Sequence, residues 1–355
     1  MALPRGVREG LMLLFWIRLA LALWIGFSSA AAGAILFGIA NPSYEVAYLV
    51  YSANRHLLYI ADVNHAFGYR LANAPLAETD YRWSPDGLYV AFTSSVARST
   101  EVFIARADGR SLRQLTVTDD WEYSPAWSPD GQYLVFSRQA INAPQSRELI
   151  VMNVADRSER ILTHNDETEL FPLWSPDGRQ IAYVVDGQPS DAIKVIDAET
   201  GVLQAEVNEI AGDFHEVTWS PDSTRLLFDV FNRVNNIIYV MDVRSAQIHP
   251  LNHALNTGYE PHWSPDGRHV VFLSNDSSNP EIYVMDDTGE NQVQLTYTLN
   301  VMESWPVWSP DGGRLAFAVY DGAGNDIYVM NADGSGLQRV TATLELIEMY
   351  PRWRP

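Results

Sequence analysis

One pentapeptide, Trp-Ser-Pro-Asp-Gly, recurs along the chain and confines it to a repeat architecture. It stands at Trp83–Gly87, Trp127–Gly131, Trp174–Gly178, Trp263–Gly267 and Trp308–Gly312. A further copy, Trp219–Ser223, ends in Ser, and Trp353-Arg354-Pro355 is a clipped last one. Successive Trp residues are 44, 47, 45, 44, 45 and 45 positions apart. A fixed period of that size means tandem supersecondary units. Within each unit Ser-Pro-Asp-Gly reads as a tight turn: Pro presets φ, Asp bonds nearby N–H groups, and Gly takes the positive φ that follows. The Trp before it reads as an apolar anchor between packed sheets, and Trp174 is a representative case. An Asp used in six turns of one chain reads as a turn cap and not as a catalytic acid.

Each turn is followed by two runs rich in Val, Ile, Tyr and Phe, such as Leu134–Ser137 with Leu149–Asn153 and Leu315–Val319 with Ile327–Asn331. These read as strands buried on both faces. A short run near Leu115-Thr116, Leu162-Thr163, Leu295-Thr296 or Val340-Thr341 reads as an outer fourth strand. Four short strands per unit, repeated in tandem, predict a β-propeller. The hairpin Ala47–Leu71 lacks a Trp strand before it, and the terminal Tyr350–Trp353 strand lacks a hairpin after it. Joined, they make one composite blade. The expected fold is therefore all-β, a seven-bladed propeller closed by its C-terminal strand, which leaves no open sheet edge. A six-bladed arc is the alternative, and it leaves Trp353 unused.

The first 40 residues stand apart. Arg5, Arg8 and Arg18 precede Leu19–Ala40, an uncharged run of 22 residues. That is long enough to cross a bilayer as a helix, with the positive charge on the cytoplasmic side. Residues 1–40 are expected to form one hydrophobic helix, either a retained anchor or a cleaved signal, and 41–355 the propeller. Both readings place the propeller outside the cytoplasm.

Composition narrows the chemistry. The chain has 355 residues, no Cys and a net charge of −20. Thiol nucleophiles, disulfides and cysteine-ligated metals are excluded. The negative balance disfavours nucleic acid and anionic membrane surfaces. Neither a Gly-x-Ser-x-Gly elbow nor a phosphate loop occurs, and His215-Glu216 has Trp219 where a zinc-protease motif needs its second His.

The Trp-Ser-Pro-Asp-Gly turn, the Leu-Ala-Phe strand after it and Ile327–Gly334 (Ile-Tyr-Val-Met-Asn-Ala-Asp-Gly) together resemble the TolB-like propeller repeat. The resemblance covers roughly residues 45–355. It implies that the Trp strand is innermost and that the loops entering it surround the mouth of a central channel. TolB itself carries an α/β domain before a six-bladed propeller, whereas an apolar segment stands here. Similar propellers precede the hydrolase domain of prolyl-oligopeptidase-like enzymes.

Stacked on their Trp, five units carry an acid five residues earlier: Glu78, Glu122, Glu169, Glu303 and Glu348. Asp213 and Glu260 are the nearby acids in the other two. Trp121, Phe171, Phe214, Tyr259, Trp305 and Tyr350 lie in the same loops. An innermost Trp strand would set these acids around one channel mouth, suited to a cationic or amphipathic peptide, a divalent cation or a sugar. The plainer alternative is that each Glu caps loop N–H groups or faces solvent. The expected function is a non-enzymatic, membrane-tethered protein- or peptide-binding scaffold that needs no cofactor. A polysaccharide lyase or hydrolase using mouth carboxylates and a divalent cation is the alternative, and a structural accessory subunit is a third.

Overall fold

The computed structural model describes residues 45–355 apart from 54, 65–66, 72–75, 77–78, 188–189, 253–254, 256, 277–278, 323 and 343–345. The expected N-terminal helix and Glu78 lie outside the described residues. Among the described residues every regular element is a β-strand, and no helix is long and apolar enough to cross a membrane.

The strands pair antiparallel in sets of four, giving an all-β, propeller-like fold. A representative set runs Trp121–Trp127, Tyr133–Gln139, Glu148–Asn153, Glu159–Ile161, each strand pairing with the next. The first strand of a set ends on the repeat Trp and packs innermost; the fourth is short and exposed. Apolar side chains of the second and third strands fill the space between sets, with Phe92, Phe136, Phe228, Phe272 and Phe317 buried one per set. Single parallel bridges, Thr100 to Trp121 and Asn325 to Ile347, join neighbouring sets.

The chain end supplies an inner strand for the first hairpin. Ile347–Trp353 pairs antiparallel with Glu45–Ser52, in the register Val46↔Trp353, Val50↔Glu348 and Tyr51↔Ile347. Arg354 fastens the junction. Its backbone N–H donates to the Glu45 carbonyl at 2.9 Å, its Nη1 meets Glu45 Oε2 at 2.5 Å, and its Nε donates to the Gly87 carbonyl at 2.7 Å.

Each pentapeptide closes as its composition requires. In the first copy the Gly87 N–H donates to the Ser84 carbonyl at 2.8 Å, Ser84 Oγ donates to Asp86 Oδ1, and Asp86 accepts from the Leu88 N–H at 2.9 Å. Gly87 sits at φ 64°. Ser223, in place of Gly, is held at φ 63°, and its Oγ accepts from the Asp177 N–H.

The repeat Trp residues bind set to set. The indole N–H groups of Trp83, Trp127, Trp219, Trp308 and Trp353 donate to the carbonyls of Arg352, Arg82, Leu173, His262 and Val307, all at 3.2–3.3 Å. Every acceptor is the residue just before the Trp of the preceding set. Trp174 and Trp263 depart from this pattern, since neither indole nitrogen has a partner in the protein. The Trp174 ring is half-buried beside a cavity of about 590 Å³ on the turn side. The expected full burial holds for Trp83, Trp127, Trp219, Trp263 and Trp353 and fails for Trp174 and Trp308.

The outer-strand expectation needs a smaller correction. The ladder strands stop at Gln114, Ile161, Gln294 and Arg339. The following dipeptide closes the edge: Leu115 N–H donates to the Val102 carbonyl, and Val102 N–H donates to Thr116 Oγ1, both at 2.8 Å. Thr163, Thr296, Thr341 and the Asn252 side chain repeat that second bond.

Candidate binding site at the channel mouth

The acids five residues before Trp serve the joints between sets. Glu122, Glu169, Glu303 and Glu348 are 0–1% exposed. Glu169 accepts from Thr163 Oγ1 at 2.5 Å, the Leu149 N–H at 2.9 Å and Asn165 Nδ2 at 2.9 Å. The inner strand of one set is thereby tied to the third strand and edge threonine of the set before it. Glu122 accepts from Thr118 Oγ1 at 3.1 Å and pairs with Arg138 at 2.9 Å; Glu303 accepts from Thr298 Oγ1 at 3.0 Å; Glu348 accepts from Thr341. Burial pushes Glu169 and Glu303 up to about 7, outweighing the donors that surround them. These four are thus buried acceptors in side-chain and strand hydrogen bonds, neither caps of loop N–H groups nor facing solvent. Asp213 is exposed at the start of its strand, Trp121 is half-buried, and Glu260 and Trp305 belong to a different register.

That register lies three residues before Trp. Ser124, Phe171, Glu216, Glu260, Trp305 and Tyr350 all take positive φ, between 39° and 54°. The pairing of each of these six inner strands slips at this point, for instance between Tyr123 and Ala126 and between Ser304 and Val307. Six non-glycine residues in the left-handed region, each costing about 1–2 kcal/mol, mark a repeated bulge. The sequence carries a signal for this bulge. Pro follows the bulge residue in five copies, at Pro125, Pro172, Pro261, Pro306 and Pro351. Pro inside a strand belongs at an edge or a bulge.

The bulges decide what meets at the axis. A pocket of about 230 Å³ is lined by Asp80, Arg82, Phe171, Phe214, Glu216, Tyr350 and Arg352, with Thr79, Leu173, Val184, His215 and Val217 completing it. Its walls come from the inner strands ending at Trp83, Trp174, Trp219 and Trp353, so strands far apart in sequence face one another. Asp80 Oδ1 is shared by Arg82 Nη1 at 3.3 Å and Arg352 Nη2 at 3.4 Å. Trp305 packs on Tyr350 with ring centroids 4.3 Å apart, and the Trp305 N–H donates to Glu260 Oε2 at 2.6 Å. Burial pushes Glu260 up to about 8, and burial with the nearby Glu216 charge does the same to Asp229. Burial pushes the His262 imidazole down. Sequence reasoning missed Arg82 and Arg352 because it read the acids as the pocket's charge.

Exposed apolar side chains collect in the loops on this side. The loops entering the inner strands and the hairpins between second and third strands lie opposite the pentapeptide turns, because the strands alternate direction. They carry Val117 and Val234 (80% exposed each), Tyr297 (77%) and Leu299 (86%), and Phe171 (51%) adds to these from the bulge of its inner strand. Among the described residues no group of three or more His, Asp or Glu side chains is placed to hold a metal ion.

These features define a class, the propeller of tandem Trp-anchored β-sheets. Residues 137–305 match the model of the TolB beta propeller domain, so that stretch carries the TolB-like propeller repeat that the motifs resemble. No curated protein matches it at the level of sequence. Among solved structures it is similar to a protein described as TolB from Agrobacterium tumefaciens (22% identity, 69% of this chain and 95% of that one, TM-score 0.51). It is also similar to TolB from Acinetobacter baumannii (18%, 88% and 83%, 0.55) and to oligogalacturonate lyase from Vibrio parahaemolyticus (13%, 83% and 85%, 0.56). At these identities the likeness is one of fold.

Proposed function

We propose that this chain is a seven-bladed propeller, held outside the cytoplasm by its N-terminal segment, that binds a protein or peptide at the mouth opposite the pentapeptide turns. The observation that carries the reading is the repeated bulge. Six inner strands hold a strained residue at one register, and three of those residues, Phe171, Glu216 and Tyr350, line the axial pocket. Strain repeated at one place is a feature of binding sites. The surrounding loops add exposed apolar side chains of the kind that protein interfaces use. The seven-blade count is supported by the tail strand's pairing with Glu45–Ser52 and by the indole-to-carbonyl bonds that run from set to set. The membrane tether rests on the uncharged run 19–40.

A photo-cross-linking amino acid at Val117, Phe171 or Tyr297, compared with Leu112 or Leu337 on the turn side, tests this in the producing cell. The reading expects polypeptide adducts from the mouth positions. Adducts only from the turn side, or none from either, would defeat it.

A further inference from the structure

The axial pocket holds a charge arrangement that peptide binding in general does not require. Arg82 and Arg352 each occupy the position just before Trp, on inner strands that the tail strand brings side by side. The two guanidinium groups share a single carboxylate, Asp80, through one nitrogen each. The Nε atoms of both are buried without a protein partner. Burial, and then the Arg352 charge, push Arg82 below the usual guanidinium range. Arg352 also lies over the Tyr81 ring, with Cζ 5.6 Å from the centroid. The backbone carbonyls of both arginines are taken by Trp83 and Trp127, so the strands that present them are held independently of the side chains.

Two like charges on one acceptor leave N–H donors over, and a planar carboxylate matches the guanidinium fork. Glu216 and His215 lie elsewhere in the same pocket, and Phe171, Phe214 and Tyr350 add apolar surface. A ligand that fits carries an anionic group for the arginines and an apolar or aromatic side chain for the rest.

We propose that Arg82 and Arg352 form a carboxylate-binding site inside the channel, at the turn-ward end of the axial pocket, which takes the carboxylate of a peptide that enters from the mouth and bears an adjacent aromatic or aliphatic side chain. The inference rests on the proposed peptide-binding mouth and assigns its chemistry. It replaces the cationic partner expected from the acids with an anionic anchoring group. The carboxylate can be a chain terminus or an Asp or Glu side chain, and the two sources are separable.

The probes are N-acetyl-phenylalanine against its amide, and acetyl-Phe-Asp-amide against acetyl-Phe-Asn-amide, titrated into the full chain by calorimetry. The expected result is at least a tenfold preference for the charged member of one pair. Preference in the first pair identifies a chain terminus, and preference in the second a side chain. Arg352→Gln and Arg82→Gln should each erase the preference, while Arg179→Gln on the turn side should keep it. Equal binding within both pairs, or binding of neither, overturns the site, as does a preference that survives both arginine substitutions. If a substituted protein fails to fold, the wild-type comparison within pairs still decides. Loss of the preference with cross-links at the mouth intact removes only the carboxylate site. Preference without cross-links removes the macromolecular reading and leaves the site.

Discussion

Glu169→Ala separates a structural acid from a ligand-binding one. The Glu169 carboxylate accepts three bonds, from Thr163, Leu149 and Asn165, and is fully buried. Each net bond is worth about 1 kcal/mol, and more when the acceptor is charged. The Leu149 N–H keeps Thr163 Oγ1 at 2.9 Å as a second acceptor, so it is not stranded. The Thr163 hydroxyl and one Asn165 amide hydrogen lose their partner, and a small void replaces the side chain. The sum is a loss of about 3 kcal/mol. Glu169→Gln keeps one acceptor but points its amide at Asn165 Nδ2, whose Oδ1 is already engaged by the Glu167 N–H. It should cost about 1–2 kcal/mol. Urea titration followed by tryptophan fluorescence measures both, and mouth cross-linking by the variants should match the parent. A loss below about 0.5 kcal/mol for Ala would refute the joint. Reduced partner capture with stability unchanged would restore the acidic rim.

Other consequences are simpler to state. Glu169 and Glu303, raised to about 7, and Asp229 and Glu260, raised to about 8, bind protons more tightly in the folded state than in the unfolded chain. Stability should therefore fall as pH rises from about 5 through 8, by up to about 1.4 kcal/mol per pH unit for each group within its interval. Thermal melts across that range check it, and a Tm that rises with pH contradicts it. Trp127→Ala removes a ring 9% exposed and an indole bond to Arg82, and should cost about 3–5 kcal/mol. Trp174→Ala, half-buried and without an indole partner, should cost less than half of that in the same denaturation assay; equal costs would contradict the difference in packing.

The fold was legible because its signals are local and repeated. The Trp interval, the Ser-Pro-Asp-Gly turns and the paired apolar runs each fix a piece of one unit, and six copies make the period unmistakable. The docking of Ile347–Trp353 beside the first hairpin was readable by counting pieces, since a Trp strand and a hairpin were each left over. The site was less legible. A column of glutamates five residues before Trp looks functional in a stacked sequence, but side-chain direction in a strand alternates with each residue. A bulge resets that alternation. The Pro two positions before Trp marks the bulge in five copies, and the bulge is what lets Tyr350 reach the axis while Glu348 turns into the joint. Arg82 and Arg352 stayed hidden because they sit 270 positions apart and meet through the tail pairing.

That pairing is the claim on which the mouth, the pocket and the arginine pair all depend. The chain has no Cys, so Tyr51→Cys with Ile347→Cys, partners across the closing strands, creates one defined thiol pair. Oxidation followed by mass spectrometry of the unreduced tryptic digest reads the result. Residues 51 and 347 should be recovered in one disulfide-linked peptide from monomeric protein. Two free thiols under the same oxidation, or linkage only between separate molecules, would show that the tail does not close the first sheet.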